Sequence, residues 1–218
     1  MSLHVTLLGA TGLIGKETMK LLLENPMVST VQIFVRKPIQ IQHQKLVQTT
    51  VENFEKLENH WNISNTDVLI SAVGSTKSKT KLESDYRKID LDIPLKGAEL
   101  ALKVGCKKMI LVSAVGADEK SSIFYNRLKG EIENKLSTLN FESLVIMRPS
   151  LLIGERSESR PMERFAQMIA PLFDVFCKGK FSIYHSISAK TVAESIQRNT
   201  VNSILGKHIL HYKEIIKT

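Results

Sequence analysis

The stretch Leu3-His4-Val5-Thr6-Leu7-Leu8-Gly9-Ala10-Thr11-Gly12-Leu13-Ile14-Gly15 decides the fold. Its first six residues are mostly apolar and rich in β-formers, so they read as a buried strand. From Leu13 to Glu24 the apolar residues recur at helical spacing, until Asn25-Pro26 stops them. Gly9, Gly12 and Gly15 therefore lie between one strand and one helix. A glycine turn in that place lets the backbone approach a pyrophosphate closely. The free N–H groups at the helix start then hold it. Three glycines alone are a weak signal; their place between the first strand and the first helix makes it specific. The spacing differs from Gly-x-Gly-x-x-Gly by one extra residue in the first interval.

Further strands are expected at 31–35, 45–50, 67–73, 108–113, 143–147 and 208–212. Helices are expected at 86–104, 124–139, 162–176 and 189–199, and Pro94 predicts a kink or break in the first of these near Ile93. Strands alternating with helices describe an α/β, doubly wound, mostly parallel sheet with helices on both faces. A length of 218 residues fits one domain. Within it, 1–149 reads as the cofactor-binding core and 150–218 as segments closing over the substrate side.

Composition is that of an ordinary globular chain: 43% hydrophobic, with 11 glycines and 6 prolines. The net charge of +8 comes from 30 Lys and Arg against 22 Asp and Glu, without a block dense enough for a nucleic-acid arm. It reads as a solubilising surface, or as local positive charge for a phosphorylated cofactor, and a nucleic-acid partner is disfavoured. Cys106 and Cys177 make neither a disulfide framework nor a metal cluster and read as small buried hydrophobes of a reducing compartment. His208 and His211 would face opposite ways on a strand, with no third ligand type nearby, so no metal is expected. The N-terminus lacks the basic-then-apolar layout of a secretory signal, and the apolar runs are too short to span a bilayer. The expectation is a soluble, cytoplasmic protein that does not enter membranes.

The second strand ends in Phe34-Val35-Arg36-Lys37, with no carboxylate where a fold selective for NAD places one. Arg36 offers the donor fork that suits a 2′-phosphate, with Lys37 as a second cation, which points to NADP. A surface arginine without a role is the alternative. Tyr125 and Lys129 lie four apart on one helix face. An ammonium beside a phenol favours the phenolate, as a tyrosine needs to exchange a proton with a carbonyl or carbinol. The pair follows, by about a dozen residues, a strand ending at Ser113, whose hydroxyl would orient the substrate oxygen. Lys77, Lys79 and Lys81 form a basic loop, read either as touching cofactor phosphates or as a solvated turn. His185 is a reserve acid/base or a surface histidine.

The glycine loop, Ser113 and Tyr125-Asn126-Arg127-Leu128-Lys129 resemble the atypical short-chain dehydrogenase/reductases. Within these the chain is similar to the Tat-interacting oxidoreductase family and its bacterial relatives. The likeness is densest at Ala98–Ala101 through Lys108, at Gly116-Ala117-Asp118 with Ser121-Ser122, and at Lys129-Gly130-Glu131. Arg148-Pro149 and Glu158-Ser159-Arg160-Pro161 extend it. The resemblance implies NADP binding and a Ser113–Tyr125–Lys129 site, with Tyr125 as acid/base and Lys129 also on the nicotinamide ribose. It implies that Ser71, Ala72, Val73 and Gly74 border the adenosine half, and that Arg148-Pro149-Ser150 ends the strand beneath the substrate cleft. Many relatives carry a second serine where this chain has Ala114. The expected activity is NADP(H)-dependent oxidation or reduction of a small carbonyl or alcohol. The alternative is an NADP-binding regulatory module contacting a protein through 150–180; a homo-oligomer stays open.

Overall fold

A computed structural model of the chain describes residues 2–75, 82–153, 179–202 and 204–217. Its strands are β1 (Leu3–Leu8), β2 (Val28–Val35), β3 (Leu46–Thr50), β4 (Val68–Ser71), β5 (Lys108–Val112), β6 (Ser143–Met147), β7 (Leu152–Ile153), β8 (Ile187–Ser188) and β9 (Gly206–Leu210). Its α-helices are α1 (Leu13–Glu24), α2 (Glu83–Arg87), α3 (Ile93–Lys103), α4 (Phe124–Ser137), α5 (Ala189–Val201) and α6 (Tyr212–Ile216). Seven strands form one sheet in the order β3-β2-β1-β4-β5-β6-β9, and every neighbouring pair is parallel. β7 and β8 pair separately. From β1 the chain winds outward to β3, then returns past β1 to β4. That reversal opens a crevice beyond the carboxyl ends of the strands.

Alternation along the strands assigns the two cores. Val5, Leu7, Ile70 and Ile110 share one with Leu22 of α1 and Ile196 of α5. Leu8, Leu69, Met109 and Leu111 share the other with Ala98 of α3 and Leu128 and Ile132 of α4. Residues of both sets are essentially inaccessible to solvent, which is why these strands read as continuous apolar runs.

The differences from the sequence reading have local causes. β2 starts at Val28, because Leu3 and His4 pair with Val28 and Thr30 across a bulge. β4 stops at Ser71, so Ala72-Val73-Gly74 run past the sheet edge into the crevice. The last strand is Gly206–Leu210 rather than 208–212; His211 caps α6, and its N–H donates to Glu214 Oε2 at 3.1 Å. The break expected near Pro94 is a wide turn over Lys88–Asp92, in which the Ile93 N–H reaches back to the Lys88 carbonyl. A proline ring collides with the carbonyl four residues earlier in a regular helix, and widening the preceding turn relieves this. The Cys106 thiol is buried, and burial pushes it up to about 11, so it packs as a small apolar group. The expected helix 162–176, Cys177, Lys77, Lys79, Lys81 and the Glu158–Pro161 motif lie outside the described residues.

Candidate active site

The glycine loop is built by close approach. Gly9 has φ +83°, and a Cβ there would meet the Ala72 carbonyl at 2.6 Å and the Val73 nitrogen at 2.8 Å. A Cβ on Gly15 would lie 2.0 Å from the Gly9 carbonyl oxygen. Both positions demand glycine for the fold itself. Gly12 differs: its φ of −74° suits any residue, and the nearest atom to its Cβ would be the Gly9 oxygen at 3.2 Å. Gly12 is the N-cap of α1, and no side chain caps that helix or places an acid in its first turn. The amides that open α1 therefore face outward without a side-chain acceptor, as an anion site requires.

A cavity of about 680 Å³ opens above this loop. Gly9, Thr11, Gly12, Arg36, Ala72, Val73 and Gly74 all line it, so the sequence-derived cofactor residues from three strand ends share one space. Leu13 is half-buried and Ile14 and Gly15 are buried within α1, outside the cavity lining. Lys37 is exposed beside Arg36 and does not line the cavity. Ser71 is wholly buried, and its hydroxyl has no partner among the described residues. The far wall comes from Asn53, Phe54, Lys88 and Lys96, which sequence reading missed. It is tied across by Lys88 Nζ to Glu55 Oε1 at 2.7 Å and Lys96 Nζ to Glu58 Oε2 at 2.5 Å.

Tyr125 and Lys129 share a face of α4, with Lys129 Nζ 5.7 Å from the Tyr125 ring centre. The Lys129 side chain is 3% exposed and forms an ion pair with Asp90, Nζ to Oδ1 2.8 Å; Asp90 is fully buried. Burial works against the lysine charge, but the attraction of Tyr125, Asp90 and Glu133 outweighs it and holds Lys129 above the ordinary lysine range. The second Asp90 oxygen accepts the Ser75 N–H at 2.8 Å. Tyr86 packs edge-on against Phe124 at 5.9 Å, and burial, with Asp90 and Tyr125 nearby, pushes its phenol up.

Ser113 lies just beyond β5, and its hydroxyl donates to Glu133 Oε1. Arg148, at the end of β6, grips the same carboxylate with Nε at 3.0 Å and Nη2 at 2.5 Å. His185 stacks on Tyr212 at 4.8 Å. His211 is pushed down by burial and by Arg148, against the opposing pull of Glu214 and Glu133. No group of His, Cys, Asp or Glu suited to a metal occurs among the described residues.

Besides the far wall of the cavity, the residues that sequence reading missed are Asp90 and Glu133. Glu133 had a legible signal: Lys129 and Glu133 occupy buried positions among Leu128, Ile132 and Leu136 on α4. Charges on an apolar face need partners. Asp90 had only the irregular turn before Pro94 to mark it.

The HIM1 family model matches residues 31–175. Rat HTATIP2 is 33% identical over 217 residues, covering 97% of this chain and 87% of the rat protein. The mitochondrial protein fmp52 of Emericella nidulans is 34% identical over 173 residues, covering 77% of this chain and 74% of its own. Among solved structures, Bordetella bronchiseptica WbmH in complex with NAD+ matches with a TM-score of 0.69 at 15% identity, over 96% of this chain and 75% of its own. Human epimerase family protein SDR39U1 with NADPH matches with a TM-score of 0.62 at 16% identity, over 95% and 74%. These two likenesses show a common fold. The Fmp52 names overturn the cytoplasmic expectation, since those relatives are called mitochondrial. Composition carries no compartment address, because such signals are read by receptors. No described helix is long and apolar enough to cross a membrane. With a family match over most of its length and a rat relative aligned nearly end to end, the chain belongs to the HIM1 family, whose sheet is that of the NAD(P)-binding reductases and epimerases.

Proposed function

We propose that this chain is an oxidoreductase that uses NADP(H) to interconvert a small carbonyl compound and its alcohol. One observation carries the reading. Ser75, in the cavity wall, donates its N–H to Asp90, Asp90 holds Lys129, and the Lys129 ammonium stands over the Tyr125 ring. The dinucleotide cavity and an acid/base pair are thus joined through one carboxylate.

The residues present fit a dinucleotide, since the backbone at Gly12 opens onto the cavity and the α1 amides lack side-chain acceptors. The loop from Gly9 to Gly15 would hold the diphosphate, and Arg36 the 2′-phosphate. Ala72, Val73 and Gly74 would border the adenosine, with Ser71 buried behind them, and Lys129 the nicotinamide ribose. When bound, the cofactor supplies hydride transfer. Tyr125 gives its proton to the carbonyl oxygen, or takes one from the hydroxyl. Ser113 donates its one O–H to Glu133, so it can accept from an alcohol hydroxyl and has no proton to offer a carbonyl oxygen.

The test is NADPH turnover against a panel of aldehydes, quinones and sugar nucleotides, with Tyr125→Phe alongside. The variant should lose about 10²-fold or more in turnover while binding the cofactor as before. Full turnover in Tyr125→Phe would move the proton donor elsewhere. A second reading, an NADP-binding module without significant catalysis, is favoured by the same Ser113–Glu133 bond and by Ala114, which leave no spare serine hydroxyl at the end of β5. NADPH affinity without turnover on the whole panel would select it.

A further inference from the structure

Two cations bear on the active-site helix, the buried Lys129 within it and the partly buried Arg148 against it, and each already has its carboxylate. Lys129 is paired with Asp90, and Arg148 with Glu133. The other titratable groups acting on Lys129 are Tyr125 and Glu133, both from α4, and Tyr86 of α2 lies near Asp90 and Tyr125; the two tyrosines are neutral when protonated, and the Glu133 charge is matched by Arg148. The charges of this cluster cancel, so loss of a proton from Tyr125 or Lys129 leaves one uncompensated negative charge in a buried place. A Tyr–Lys pair without Asp90 would start with a surplus positive charge and release its proton more readily.

We propose that Asp90 is a positioning residue that holds the shared proton on the Tyr125–Lys129 pair. Its carboxylate competes with the phenolate for the one ammonium. It also ties that ammonium, through the Ser75 N–H, to the wall of the dinucleotide cavity. The inference rests on the oxidoreductase reading for its importance to turnover, but the proton equilibrium it describes exists without any substrate.

The variant is Asp90→Asn, which keeps the shape and an oxygen for the Ser75 N–H but removes the charge. Two quantities are followed against pH: NADPH-dependent turnover, and ultraviolet tyrosinate absorbance taken as the difference from the matching Tyr125→Phe protein. The titration of the pair should move down by about one unit or more in Asp90→Asn, in both readouts. A merely structural role would lower stability or rate without moving either midpoint. An unmoved midpoint in folded Asp90→Asn overturns the proposal. If Asp90→Asn does not fold, the wild-type difference titration decides: retention of the proton well above neutral pH supports the proposal, and its release near neutrality overturns it. If no substrate turns over, the absorbance arm still tests Asp90, and only the oxidoreductase reading falls.

Discussion

Gly12 and Gly15 belong to one loop but answer different demands. Gly15 is required because α1 lies against the Gly9 carbonyl, whereas Gly12 lies under the cavity. Gly12→Val should abolish NADPH binding and cost about 1 kcal/mol of stability, while Gly15→Val should cost upward of ~3 kcal/mol or prevent folding. Calorimetric titration and thermal unfolding of the two variants separate the roles. Unchanged NADPH affinity in Gly12→Val would remove the loop from the cofactor site. Arg36 is the other residue whose effect is specific. It lines the cavity from the end of β2, and a hydrogen bond to a charged group contributes about 1.5–3 kcal/mol. Arg36→Ala should therefore weaken NADPH about ten- to a hundredfold and leave NADH nearly unchanged. Equal loss of both nucleotides would mean that Arg36 supports the loop instead of reading the phosphate.

At the scale of elements, α4 carries Tyr125 and Lys129 beside a row of core residues. Leu128, Ile132 and Leu136 anchor it to the sheet, and Glu133 clips it to β5 and β6 through Ser113 and Arg148. Glu133 is 3% exposed and Arg148 20%, so removing one partner strands a buried charge. Arg148→Met should destabilise by roughly 3 kcal/mol, at the low end for such pairs because the arginine is partly hydrated. Glu133→Leu combined with Arg148→Met should recover much of that. Denaturant unfolding of the single and double variants gives the coupling, and additive losses would show that the clip does not act as a unit. The helix across the crevice tells a complementary story. Pro94 announced an irregularity near Ile93, and the structure supplies its form, a widened turn that contains Asp90. A proline is legible as an interruption because its ring and missing N–H act locally. How the neighbouring turn accommodates it depends on what packs there.

Across the whole molecule, the sequence by itself determined the elements and their order. The apolar runs from Leu3 to Leu8 and around Ile70 and Ile110, the helical spacing after Gly12, and the alternation of the two imply a doubly wound parallel sheet. Hydrophobic period and glycine placement are local signals that survive without coordinates. Tyr125 and Lys129 were legible for the same reason, since four residues on one helix fix their common face. Only the tertiary structure decided what surrounds them. Asp90 reaches Lys129, the Ser113 hydroxyl donates a hydrogen bond to Glu133, and Arg36 shares a cavity with Ala72 and Lys96 because three strand ends and two helices converge at the reversal of strand order. None of these pairs is close along the chain. A buried charge needs a partner, but one sequence does not say which of many distant acids or bases the fold will bring to it.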